Sequence, residues 1–409
     1  MDRLKTVALR ALLAGLGTQA AVIAGLILMD AVKKHSRTRR KGFPHPGVFK
    51  SRVADSDTTI YTSGQDLYDD MLAAIRGAKH QIFLETFIWK GDRTGQMFKE
   101  ALTEAVDRGV EVFVIYDGFA NLVVPPWFYR FDSRIQVFRF PVIRPSLLLR
   151  TVRSTGLDHR KLLVVDGDIG FIGGYNIGSL YATEWRDTHL KVVGPSAGDL
   201  HRAFLVVWND RLGQRRPAIQ ETGADFWQPS MRPINNVPSH LVYPIRGIYL
   251  DAINRARDHI YITTAYFIPD QQILTALFKA SRRGVDVRVI LPEDSNHVLS
   301  DWLSRGFYSS LLAEGVTILL YRNAMIHAKT ATIDGQWVTV GTANIDRLSL
   351  TGNYESNLEI YSTDLASDME EIFAVDSANS RLLTIEEWRG RPLLARFSEL
   401  VLIPLRPFL

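Results

Sequence analysis

Two segments of this 409-residue chain repeat one set of chemically capable side chains. HRKLLVVDGDIGFIGGYN begins at His159 and HAKTATIDGQWVTVGTAN at His327. In both, a lysine follows two residues on (Lys161, Lys329), an aspartate seven on (Asp166, Asp334), a glycine fourteen on (Gly173, Gly341) and an asparagine seventeen on (Asn176, Asn344). Twenty-eight residues after each histidine stands an acid, Asp187 in one copy and Glu355 in the other. A lone histidine near a lysine is ordinarily structural, and an isolated aspartate ordinarily a turn residue. A duplication kept only for its fold would retain glycine and apolar positions, but not His, Lys and Asn in both copies. The repetition therefore argues for a site.

Residues two apart on a strand share a face, so His159 is expected to project with Lys161 and His327 with Lys329. Asp166 and Asp334 fall at odd offsets past the apolar run, where they brace a turn. Gly173 and Gly341 permit a tight turn ahead of Asn176 and Asn344, whose amides can donate hydrogen bonds. Asp187 and Glu355 can accept from the far nitrogen of an imidazole and fix its tautomer. Facing each other across a pseudo-twofold axis, two such halves enclose a pocket rich in cationic donors. A phosphodiester suits it. One histidine attacks phosphorus and the other protonates the leaving alcohol, then takes a proton from the acceptor; lysines and asparagines stabilise the non-bridging oxygens. That chemistry requires neither metal nor cofactor, and no carboxylate-rich cage is evident. Two histidines could instead hold zinc, but the paired lysines would repel the cation.

The elements around these motifs are duplicated too. AIRGAKHQIFLETFIW (74–89) followed by LTEAVDRGVEVFVIYDG (102–118) matches AINRARDHIYITTAYFIPD (252–270) followed by LFKASRRGVDVRVILPED (277–294). Each reads as helix, alternating strand, helix, then a strand after Arg-Gly-Val. The Pro-rich stretch 215–239 reads as a linker between halves 46–214 and 240–380. Residues 119–157 carry six arginines and one acid among aromatic and aliphatic residues. They suit an interface with anionic head groups, or a partly buried excursion between strands. The tail 381–409 has a similar character, and Pro404 and Pro407 bar a long terminal helix.

The charge is uneven. Residues 1–41 hold nine Lys/Arg against Asp2 and Asp30, whereas the rest carries 39 basic and 42 acidic residues. Within the segment 1–45, residues 11–29 are uncharged. As a helix they would span roughly 28 Å, close to the hydrocarbon thickness of about 30 Å. A membrane anchor is the leading reading, ahead of a buried or interfacial helix and of a cleaved signal. The cluster KKHSRTRRK (33–41) then puts the body on the cytoplasmic side. The chain has no cysteine, which removes disulfides, thiolate metal sites and a cysteine nucleophile.

Two copies of His-x-Lys-x4-Asp with the following Gly and Asn resemble the phospholipase D superfamily, over nearly the whole chain from about residue 50 to 380. LETFIW (84–89), WRDTH (185–189), AYFIPD (265–270) and SNLEI after NYE are further similar to bacterial cardiolipin synthases of that type. The resemblance implies an α/β fold of two duplicated sandwich halves, with mixed β-sheets flanked by helices and the active site at the pseudo-twofold interface. It implies a catalytic set of His159, Lys161, Asp166, His327, Lys329 and Asp334, with His159 as nucleophile and His327 as general acid and base. It also implies a phosphatidyl-histidine intermediate and transfer between two phosphatidylglycerols at the bacterial inner membrane, releasing glycerol. Thr342 stands where a serine is common, and Gly174 lacks the hydroxyl in the first half. Phospholipase D hydrolysis, a nucleic-acid phosphodiesterase and a non-catalytic membrane scaffold are the alternatives. The near-neutral body speaks against nucleic acid, whose binding rests on counterion release. The oligomeric state is left open.

Overall fold

The computed structural model describes residues 2–36, 42–141, 156–210, 218–219 and 229–408. Two eight-stranded mixed sheets dominate it. The first runs, edge to edge, Val48–Val53, Ser56–Tyr61, His189–Val193, Ile169–Gly173, Leu162–Val165, Gln81–Thr86, Glu111–Asp117, Gln136–Phe140. The second runs Met231–Asn236, Glu355–Tyr361, Trp337–Gly341, Thr330–Ile333, His259–Thr263, Asp286–Pro292, Thr317–Tyr321, Ser380–Leu383. The sheets correspond strand for strand from Ser56–Tyr61 and Met231–Asn236 onward, and each adds one strand at the opposite edge. In both, the three strands joined by helical crossovers are parallel and the rest antiparallel.

The apolar run after Lys161 is explained by this layering. Leu162–Val165 is buried at every position. Leu163 and Val165 face outward against Leu67, Met71 and Phe98, from helices Gly64–Gly77 and Arg93–Asp107. Leu162 and Val164 face the centre, where Phe83, Phe204, Val338, Leu358 and Ile372 form one core shared by both halves. Complete burial of each such side chain is worth about 1.5–3 kcal/mol. Helices Ala197–Asp210 and Thr363–Ala378 complete that central layer. Each half thus has its own outer core, and the two are fused through the inner one.

Three expectations need correction. Strand Met231–Asn236 lies inside the stretch read as a linker; it contains Pro233, which an edge strand tolerates because one side of its backbone needs no partner. The tail read from residue 381 begins within strand Ser380–Leu383 and continues as helices Ile385–Arg389 and Leu393–Leu402, the latter ending before Pro404. His159 and Lys161 lead into strand Leu162–Val165 rather than lie on it, because the His159 amide bonds across to the other half. Of the arginine-rich stretch, residues 142–155 fall outside the described residues. The N-terminal segment is one helix, Asp2–Ser36, whose portion Leu13–Val32 is long and apolar enough to cross a membrane and is almost wholly unburied.

Candidate active site

Both histidines sit at the carboxyl end of the parallel strands, each pinned by the opposite half. The His159 amide donates to the Tyr354 carbonyl at 3.0 Å, and the His327 amide to the Arg186 carbonyl at 2.7 Å. Tyr354 and Arg186 immediately precede the two acids. Consequently the carboxylates cross over. His159 Nδ1 meets Glu355 Oε1 and Oε2, both at 3.0 Å, and His327 Nδ1 meets Asp187 Oδ2 at 2.6 Å. With Nδ1 engaged, Nε2 of each ring is the atom left for chemistry. Arg186 is itself buried and locked to Asp376 of the other half at 2.8–3.0 Å.

Lys161 and Lys329 are buried and each donates to the carbonyl of its own motif histidine. Asn176 accepts from the Ile88 amide at 3.1 Å through Oδ1, which orients its amide nitrogen as a donor; Asn344 lies with Oδ1 3.5 Å from the Thr264 hydroxyl. The two histidines and two lysines lie close enough to act on one another electrostatically.

Asp166 and Asp334 stand apart from them. Asp166 accepts from the amides of Lys79, His80 and Gln81 at 2.8–2.9 Å, and Asp334 from those of Arg257, Asp258 and His259 at 2.8–3.0 Å. Both occupy left-handed backbone, φ 53° and 54°, ahead of Gly167 and Gly335, also at positive φ. That is the mirror-image hairpin turn which Asp-Gly favours. Although motif members, they are positioning residues that tie the hairpin to the start of the neighbouring strand, and their placement removes them from the catalytic set.

Burial governs the electrostatics. It pushes both imidazoles well below their ordinary value, aided by the two ammonium groups. It lowers Lys161 to about 7 and Lys329 to about 8, and it raises Asp187 to about 6 and Glu355 to about 8. An entering phosphate anion would reverse the lysine shifts, since an opposite charge nearby favours the charged form. The free site is thus poised for an anion.

Some contacts escaped sequence reasoning. Phe87 packs edge-on against His159 at 4.6 Å between ring centroids, while Trp185 and Tyr266 flank His327 at 5.0 and 6.4 Å. Nothing in the spacing marks them, since aromatic residues in apolar stretches usually denote core. Thr342 donates to Glu355 Oε2 at 2.5 Å. Its counterpart Gly174 has no room for a side chain, because a Cβ there would lie 2.0 Å from Asp187 Oδ1.

The family model described as cardiolipin synthase, PLD-like domain, matches residues 71–208 and 249–377. The chain belongs to this family. Among cardiolipin synthases, it is 32% identical to the major cardiolipin synthase ClsA of Bacillus subtilis strain 168 over 369 residues, covering 87% of this chain and 76% of that one. It is 33% identical to cardiolipin synthase 1 of Staphylococcus aureus strain COL, covering 83% and 71%. The fold is shared with the crystal structure of a phosphatidylserine synthase from Haemophilus influenzae Rd KW20, at TM-score 0.66 and 15% identity over 88% of this chain and 94% of that one. The duplicated phospholipase D-like halves expected from the motifs are therefore those of this family.

Proposed function

We infer that the chain is a cardiolipin synthase that transfers a phosphatidyl group from one phosphatidylglycerol to a second and releases glycerol. The observation that carries this reading is the crossed pair of imidazole–carboxylate contacts beside two buried lysines. His159 Nε2 attacks phosphorus, forming a P–N bond as the P–O bond to glycerol breaks. His327 gives its Nε2 proton to the departing glycerol oxygen. It then takes the proton of the incoming hydroxyl, whose oxygen forms the new P–O bond as the P–N bond breaks. Lys161, Lys329, Asn176 and Asn344 hold the non-bridging oxygens through both steps.

The two carboxyl groups support this division of roles. Asp187, raised only to about 6 and 2.6 Å from His327 Nδ1, is the more ionised acid at neutral pH and would stabilise positive charge on His327, which burial and the two lysines hold well below its ordinary value in the free site. Glu355, 3.0 Å from His159 Nδ1, accepts the Nδ1 proton as a carboxylate and so leaves the lone pair of a neutral His159 on Nε2. The N-terminal helix would anchor the enzyme in the cell membrane with its body on the cytoplasmic side, where phosphatidylglycerol supplies the anionic head group. The deciding assay incubates the full chain with phosphatidylglycerol vesicles and measures cardiolipin and glycerol. Equal yields, abolished by His159→Ala and by His327→Ala, are expected; phosphatidic acid as the only lipid product would assign hydrolysis instead.

A further inference from the structure

Helix Leu393–Leu402 is inverted relative to an ordinary surface helix. Its inward face carries Ser398, Glu399 and Leu402, with Glu399 paired to Arg391 at 2.8–3.0 Å. Its outward stripe is Leu393, Phe397, Leu400 and, just past its end, Ile403; Leu393 is 78% exposed. The segment 119–129 does the same on the other half. Val124 and Phe128 point in, whereas Phe119, Leu122, Val123 and Trp127 point out, Val123 at 81% exposure. This segment is rigidly held: buried Asn121 donates to the Phe87 carbonyl at 2.8 Å and accepts from the Trp89 amide at 2.8 Å, and Asp117 accepts from the amides of Phe119 and Ala120. Outward apolar side chains on fixed backbone mark a contact with an apolar phase.

A chain of contacts connects each outcrop to the histidines. Phe87, which Asn121 grips, packs on His159. On the other side Tyr266 flanks His327 and donates to Asn296, and the helix that follows, Val298–Arg305, brings Leu303 against Leu26 and Leu402. Helix Leu393–Leu402 also continues the surface of the N-terminal helix, since Gln19 donates to the Val401 carbonyl at 3.1 Å. Exposed Arg130, Arg389 and Arg396 border the two outcrops, which suits an anionic surface.

We propose that the catalytic mouth is seated on an anionic bilayer by these two apolar contacts, one from each half, so that a head group reaches both histidines without leaving its leaflet. The proposal rests on the reading of the pocket as a phospholipid site, and its test is separable from that reading. Because the chain has no cysteine, single cysteines carry a nitroxide cleanly. Val123→Cys, Leu394→Cys and Glu104→Cys are labelled in the full chain and bound to phosphatidylglycerol vesicles. Labels at 123 and 394 are expected to become accessible to oxygen and shielded from a water-soluble nickel complex, while the label at exposed position 104, in the last turns of helix Arg93–Asp107, stays in water. A label at 123 that stays as wet as that at 104 overturns the proposal. So does strong dipolar coupling between label-394 chains, which would assign that face to a second copy. Val123→Asp is further expected to lower turnover of vesicle lipid relative to dispersed dihexanoyl phosphatidylglycerol by about tenfold, the scale of one aliphatic side chain kept out of an apolar phase. An unchanged ratio overturns the contact, whereas no turnover of either substrate by the unmodified chain would defeat the catalytic reading alone.

Discussion

Thr342 donates its hydroxyl to Glu355, while the equivalent Gly174 is kept bare by the carboxylate of Asp187. One position therefore tunes the two acids in opposite ways. In the second half a hydroxyl steadies the carboxylate on His159; in the first half the missing side chain lets a shorter acid approach His327. Thr342→Val removes a bond that lowers the Glu355 pKa, so His159 should lose its orienting partner and kcat/KM should fall by about tenfold. Thr342→Ser should retain activity. Gly174→Ala should displace Asp187 and lose more than either, which steady-state kinetics on phosphatidylglycerol vesicles will rank.

The crossed carboxylates separate the two chemical roles. Asp187→Asn should slow the reaction by about 10²–10⁴-fold with glycerol leaving, because His327 loses the charge that favours its imidazolium. Much of that loss should disappear with phosphatidyl-p-nitrophenol, whose leaving group needs no proton. Glu355→Gln should depress both substrates alike. The reverse pattern would make His327 the nucleophile.

Anion binding should follow the lysines. Lys161 and Lys329, lowered by burial to about 7 and 8, are charged below those values and neutral above them. Short-chain phosphatidylglycerol keeps its single charge across this range, so proton uptake by the lysines must accompany its binding. In the inactive His159→Ala variant its Kd should therefore tighten as pH falls from 9 to 6.5. Calorimetry in buffers of different ionisation enthalpy checks both the trend and the uptake.

Asp334→Ala tests the distinction between holding the fold and doing the chemistry. Three amides lose a charged acceptor, and an alanine must occupy left-handed backbone. The expected cost is about 2–4 kcal/mol of stability by denaturant titration. The Asp334 carboxyl is held below its usual value by those amides, against the opposing effect of partial burial. Its contribution is present above the ordinary aspartate range and is lost as pH falls through the folded value. At low temperature the folded variant should keep cardiolipin synthesis within a few-fold.

The site was legible because its members recur at fixed offsets, and the parallel strands because Arg-Gly-Val precedes an apolar run twice. The crossing of Asp187 to His327 and Glu355 to His159 was not legible, because offsets measure distance along one half, whereas the amide bonds at Tyr354 and Arg186 exchange the acids between halves. Gly174 looked like a lost hydroxyl; in space it is the vacancy Asp187 fills. Met231–Asn236 hid behind Pro233, a residue that argues against a strand everywhere except at an edge. The leucines of helix Leu393–Leu402 read equally as core or surface, since hydropathy does not record which side a helix turns inward.

The exchange of acids leaves neither half sufficient by itself. A solitary half would present an imidazole with no carboxylate behind it and an acid with no imidazole in front of it. With this geometry a half could complete its site only by pairing with a second, equivalent half. Within one chain the two halves need not be identical, and Thr342 against Gly174, with Glu355 against Asp187, makes the surroundings of the two histidines unlike.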